Sequence, residues 1–330
     1  MRALVYEGPE TLRVRDVPDP VAGNGEAVVR VDSVGICGSD MHGYLGHDAR
    51  RPAPLILGHE AAGTVLGGRH DGKRVTLNPL VGCGTCAACA KGRPNLCRDR
   101  QILSMPPREG AFAELVKVPE ENMVVVPDDV SFERASLAEP LACGWHAARI
   151  AERHDAGALR EGPCVVIGGG TIGLGAALVL RAFGAARVVI AEPNALRHPT
   201  LERAGFEAFD AAKAGPVADG VAPVVIDAVG HAATRAHACR LAAPGGIIAH
   251  IGLGEGEGGI DARRLTLAEI AFVGTYTYTP DEFRETAQAL FDGRLGALDW
   301  TETRPLSEGG KAFDDIRAGR VAAPKIVLKP

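Results

Sequence analysis

The stretch Val165-Val-Ile-Gly168-Gly-Gly170-Thr-Ile-Gly173 restricts the fold of this chain more than any other. An apolar run that ends in G-x-G-x-x-G reads as a buried strand turning directly into a helix. The glycines let the backbone turn tightly, let a pyrophosphate approach the helix N–H groups, and let helix and strand pack closely. The next apolar run, Val188-Val-Ile-Ala, ends on Glu192, about 20 residues beyond the turn, where a carboxylate accepts hydrogen bonds from ribose hydroxyls. The candidate dinucleotide contacts are therefore Gly168, Gly170, Thr171, Ile172, Gly173 and Glu192, with Arg197 close enough to cover the adenine. Glu192 repels a 2′-phosphate, so NAD is expected in preference to NADP.

The same alternation continues on both sides of Glu192. Strands are expected at Cys164–Ile167, Val188–Ala191, Pro223–Asp227 and Ile247–Gly252, the last after a turn at Pro244-Gly-Gly246, with helices at Leu174–Phe183 and Pro199–Ala204. Strand–helix alternation of this kind makes a parallel sheet and an α/β fold. Upstream, to about residue 135, short β-branched runs such as Ala27–Val31, Gly63–Leu66 and Met123–Val126 sit between Gly, Pro and Asp turns and read as mostly β. The tail adds a helix at Asp281–Phe291 and a strand at Lys325–Lys329.

At 330 residues the chain suits about two domains. Its 41 acidic and 36 basic residues are interspersed, which offers no electrostatic footprint for nucleic acid or an anionic membrane. Pro163–Leu180 is uncharged, but five glycines and the following Arg181 fit a buried strand and helix better than a membrane span. The first residues lack the apolar run of a signal peptide, so the cytoplasm is the expected compartment. A reducing compartment turns clustered cysteines toward metal.

Two clusters of metal-ligand residues follow. Cys83-Gly-Thr-Cys86-Ala-Ala-Cys89, closed by Cys97, can surround one tetrahedral zinc with no open position, which is the pattern of a structural site in a lobe at about 82–98. Cys37-Gly-Ser39-Asp40-Met-His42 and Gly58-His59-Glu60 gather a thiol, imidazoles and carboxylates in two short loops. Cys37, His59 and a carboxylate would give a catalytic metal three protein ligands and leave one position for water or substrate.

Taken together, Cys-Gly-Ser-Asp-x-His at 37–42, Gly-His-Glu at 58–60, the four-cysteine lobe, Glu139-Pro140-Leu141 and the glycine turn resemble the zinc-dependent medium-chain alcohol dehydrogenases, within them the sorbitol, threonine and butanediol branch. The resemblance covers nearly the whole chain. It implies a GroES-like β-rich catalytic domain from residues 1–139 and 275–330, and a Rossmann domain at 140–274, with the active site in the cleft between them. It implies two zinc ions per subunit and places Cys37 and His59 on the catalytic one. Glu60 or Glu139 supplies the third contact. It further implies reversible oxidation of a secondary alcohol to a ketone, with Ser39 taking the hydroxyl proton and passing it toward His42. The partners implied are a small alcohol or ketone and further copies of the chain, as homodimer or homotetramer.

The chain departs from the branch at Gly274-Thr-Tyr276-Thr277-Tyr278. Tyr278 keeps a tyrosine, but Thr277 stands where the sorbitol enzymes have an arginine, which counts against an extended polyol. Tyr44, Phe112 and Tyr276 are pocket-lining candidates. A zinc-independent quinone or enoyl reductase using NADPH would lack the metal ligands, and a non-catalytic descendant would have no need of Ser39 and His42; all are present.

Overall fold

A computed structural model describes residues 1–213 and 215–330. The chain divides into two units. One comprises Met1–Glu139, Thr279–Gly293 and Leu298–Pro330, the other Pro140–Tyr278 and Arg294–Ala297.

In the first unit, alternating apolar residues make two-faced strands. Glu26–Gly35 buries Ala27, Val29, Val31 and Val34 and turns the intervening residues outward over its first half. It pairs antiparallel with Glu60–Leu66 and with Leu115–Pro119. The C-terminal strand Lys325–Lys329 also joins it antiparallel, Val327 opposite Gly35, and carries Thr301–Pro305 parallel on its far side. A smaller sheet orders Thr11–Asp16, Arg2–Gly8 and Leu55–Ile56. Between them lies a core centred on Leu4, Leu57, Phe112 and Phe313.

The second unit is a six-stranded, wholly parallel sheet. Its order is Glu207–Phe209, Arg187–Ala191, Pro163–Ile167, Ala222–Asp227, Ala242–His250, Ala271–Gly274. The first strand in sequence lies in the middle and the order reverses beside it, a doubly wound sheet whose ligand crevice falls at that switch point. The strands are near-continuous apolar runs because helices cover both faces. The expected fold class, a GroES-like β unit with a Rossmann sheet, therefore holds.

Boundaries moved where tertiary pairing outweighed local signals. The turn expected at Pro244-Gly-Gly246 lies inside the strand Ala242–His250, which stays paired to Ala222–Asp227 across a register shift with Gly245 at φ 72°. The helix after the glycine turn starts three residues earlier than expected, at Thr171, because Gly170 already serves as its N-cap. The tail helix runs Pro280–Phe291 behind a capping box in which Thr279 and Glu282 bond each other's backbone N–H.

Candidate active site

Cys37 caps the short helix Gly38–Tyr44, and the cap itself sets the local geometry. Asp40, three residues on, accepts the Cys37 backbone N–H at 3.0 Å with one oxygen and the Gly58 N–H at 3.2 Å with the other. One buried carboxylate thus ties the Cys37 turn to the turn that presents His59 and Glu60. His59 Nδ1 lies 3.3 Å from Asp40 Oδ1 and 3.4 Å from Ser104 Oγ, and its Nε2 lies 3.5 Å from Ser39 Oγ. Cys37, His59 and Glu60 each bring a ligand atom within 4.8 Å of the other two.

The electrostatics of this cluster favour a cation. Burial alone would lift Asp40 and depress His59, yet their attraction outweighs it. Asp40 lies below the usual carboxylate range, helped by Arg51 and the Cys37 N–H, and His59 lies well above the usual imidazole range, helped by Asp40 and Cys37. The negative groups that hold a proton on His59 are the groups a dication would satisfy instead. The donor set, one sulfur, one imidazole nitrogen and one carboxylate, suits zinc.

Glu60 is fully buried and accepts both bonds of its carboxylate from Lys325 Nζ, at 2.8 and 2.5 Å, while Nζ also donates to the Ile36 carbonyl at 2.7 Å. Burial opposes a charge on Lys325, but Glu60, Cys37 and Glu139 raise its pKa above the ordinary lysine range. Glu139 is buried in the first turn of the helix Ala138–His154. It acts on Lys325 electrostatically but is not part of the three-residue cluster found among the described residues. Ser39 is half-buried and fixed by Arg51, whose Nη1 donates to the Ser39 carbonyl at 3.1 Å and whose Nη2 donates to Ser39 Oγ at 3.4 Å. His42 follows at i+3 on the same helix, hence on the same face as Ser39. Sequence reasoning missed Lys325 and Arg51 and read Asp40 only as part of a motif. Tyr44 and Phe112, expected to line a pocket, pack against Phe313 with ring centroids 5.0 and 6.0 Å away and belong to the core.

The four lobe cysteines also converge, with all four sulfurs within 4.8 Å of one another and none in a disulfide. Cys83 is pulled down to about 6 by the Thr85 hydroxyl and by backbone N–H groups, while Cys89 is pushed up to about 11 by burial and the neighbouring thiols. Sulfurs crowded to 4.0 Å with their acidities split in this way fit a single thiophilic cation.

In the parallel-sheet unit, Gly170 caps the helix Thr171–Ala182, and a Cβ on Gly173 would strike the Gly168 carbonyl, so only glycine lets the helix seat on the turn. Glu192 Oε2 accepts the Gly169 N–H at 2.8 Å and lies 3.3 Å from Arg197 Nη1, and Oε1 accepts the Asn194 N–H at 2.7 Å. Arg197 Nε is buried without a hydrogen-bond partner among the described residues. A glycine cradle beside a carboxylate and an orphaned guanidinium donor fits a nicotinamide dinucleotide.

Residues 23–128 match the alcohol dehydrogenase GroES-like domain and residues 171–292 the zinc-binding dehydrogenase domain. The chain is 31% identical to L-galactonate-5-dehydrogenase of Escherichia coli over 90% of its own length and 89% of the relative's. It is 36% identical to sorbitol dehydrogenase of Bacillus subtilis over 62% of its own length and 59% of the relative's. The solved alcohol dehydrogenase of Thermus sp. ATN1 superposes with a TM-score of 0.88 at 27% identity, covering 100% of this chain and 99% of the other. The chain belongs to the zinc-binding, medium-chain alcohol dehydrogenase family. It is thus an oxidoreductase of the zinc-dependent class that acts on CH–OH donors with a nicotinamide dinucleotide and takes a small-molecule substrate. No helix among the described residues is long and apolar enough to cross a membrane.

Proposed function

We propose that this chain catalyses the reversible oxidation of a secondary alcohol of the polyol, diol, sugar or hydroxy-acid type to a ketone, with NAD as hydride acceptor. Two zinc ions per subunit belong to this reading, one at Cys37, His59 and Glu60, the other at Cys83, Cys86, Cys89 and Cys97. The observation that carries it is the convergence of Cys37, His59 and Glu60 on one spot beneath Ser39. Galactonate and sorbitol enzymes among the relatives support a hydroxylated substrate. The threonine at 277 counts against an extended polyol. The catalytic domain is assigned to residues 1–139 and 275–330 and the cofactor domain to 140–274, in a cytoplasmic dimer or tetramer.

Zinc held by the first cluster would supply Lewis acidity that lowers the pKa of a substrate hydroxyl. A nicotinamide dinucleotide held by the glycine turn at 168–173 and by Glu192 would supply the hydride-accepting chemistry. Asp40 fixes the His59 ring by its bond at Nδ1, leaving Nε2 turned toward Ser39. Ser39 Oγ takes the proton that leaves the hydroxyl, and His42, on the same helix face, passes it to solvent. Lys325 holds the buried Glu60 carboxylate in place beside Cys37 and His59. Glu192 orients the ribose and keeps out a 2′-phosphate, with Arg197 beside it. Glu139 remains the alternative carboxylate for the third contact.

The test is a spectrophotometric scan of NAD reduction over secondary alcohols, diols, sugar alcohols and 2-hydroxy acids. The same scan is run after chelation and after zinc is restored. Turnover of at least one class that vanishes and returns with the metal is expected. Turnover that survives complete removal of zinc would overturn the reading.

A further inference from the structure

Arg235 is 4% exposed on the helix Ala232–Leu241, and every hydrogen bond it makes among the described residues goes to a backbone carbonyl. Nε donates to Gly258 at 2.6 Å, Nη1 to Gly230 at 2.8 Å and Glu255 at 2.9 Å, and Nη2 to Glu257. A buried guanidinium whose hydrogen bonds all go to carbonyl dipoles is an expensive device, so what it holds matters. It holds two loops. One, Val229–His231, follows the strand Ala222–Asp227; the other, Gly252–Gly259, follows Ala242–His250. Both leave the carboxyl ends of parallel strands, the edge at which doubly wound sheets take their ligands.

The second loop contains five glycines in eight residues and would be highly mobile by itself. Backbone bonds join it to the first, Gly254 N–H to Val229 at 3.1 Å and Glu255 N–H to Gly230 at 2.8 Å. The approach is so close that a Cβ on Gly252 would strike the Val229 backbone. The first loop in turn abuts the dinucleotide turn, since a Cβ on Gly168 would fall 2.6 Å from Val229 Cγ2. The two loops and Arg235 form a clasp against the glycine turn at the switch point of the sheet.

We infer that Arg235 is a positioning residue for dinucleotide binding: it sets this clasp as the second wall of the site in advance, so that the ligand does not have to order a glycine-rich loop as it binds. The inference rests on the reading of the glycine turn as a dinucleotide site.

The experiment compares Arg235→Met and Arg235→Lys with Arg264→Met in the full-length, zinc-loaded protein, by NADH fluorescence titration, thermal melting and steady-state kinetics. Arg264 is the structural control. It lies in the same unit and also binds carbonyls, of Cys239, Arg240 and Ala242, but at the amino end of the strand Ala242–His250. Arg235→Met should raise the NADH Kd and the KM for NAD about tenfold, the equivalent of ordering roughly one further loop residue. The KM for alcohol and kcat at saturating NAD should stay within about twofold of wild type. Arg235→Lys should recover part of the affinity and stands in if the methionine variant does not fold. Arg264→Met should lower the melting temperature and leave the NADH Kd unchanged. Equal Kd changes in the two methionine variants, or wild-type affinity in both Arg235 variants, would overturn the inference. Wild-type protein that binds no dinucleotide would instead overturn the reading on which it rests.

Discussion

Replacing Lys325 by Met removes the cation from a pair in which both partners are shut away from water, with side-chain exposures of 1% for Lys325 and 0% for Glu60. Both bonds of the Glu60 carboxylate come from that one ammonium, so its loss leaves the carboxylate without a hydrogen-bond donor among the described residues. Breaking a buried pair from one side costs about 3–5 kcal/mol, because an uncompensated charge is left inside. At about 2–4 °C per kcal/mol for folding units of 150–250 residues, the melting temperature should fall by on the order of 10 °C. The assay is thermal and urea unfolding of chelator-treated protein, in which Glu60 has no metal to turn to.

Lys325→Met with Glu60→Gln removes both charges and should recover most of the loss, giving a large coupling in a double-mutant cycle. A single variant less than about 1 kcal/mol below wild type would refute the argument, since that is the scale of an exposed pair.

Cys86→Ser should lower the melting temperature by more than about 5 °C and remove one zinc per chain; an unchanged melt and metal content would count against the lobe as a metal site. Glu192→Ser should reduce the NAD-to-NADP ratio of kcat/KM at least about tenfold, and an unaltered ratio would show that the carboxylate does not face the ribose. Burial, then the Asp314 carboxylate that accepts its hydroxyl at 2.9 Å, pushes Tyr44 up to about 12. The unfolded chain loses this proton near pH ~10 while the folded one keeps it, so Tyr44's contribution to stability should be level below pH ~10 and fall from there toward 12. Tyr44→Phe should flatten that part of the urea-midpoint profile, and an identical slope in the variant would contradict the assignment.

What the sequence reveals here is what short-range chemistry encodes. The glycine turn, Glu192 and the four-cysteine lobe each lie within a few dozen residues, and spacing alone brings their atoms together. Cys37 and Asp40 sit within one helical turn, so their shared cap is local as well. Lys325 is different. It reaches Glu60 across 265 positions, only because the C-terminal strand pairs beside Glu26–Gly35, and no local pattern announces that register. Arg51 was similarly hidden: in sequence it is one of two adjacent arginines, and burial against Ser39 and Ser104 alone separates it from the exposed Arg50. Tyr44 and Phe112 misled for the opposite reason, since an aromatic ring near a motif is as readily core as contact, and Phe313, far along the chain, decided it.

The central claim is that Cys37, His59 and Glu60 hold the metal that does the chemistry, apart from the one in the cysteine lobe. Zinc content measured beside activity in Cys37→Ala tests it most directly. The account predicts that zinc falls from two ions per chain to one, that alcohol oxidation is lost, and that NADH binding and the melting temperature stay near wild type. A Cys37→Ala protein that retains both zinc ions and turns over at the wild-type rate would contradict it.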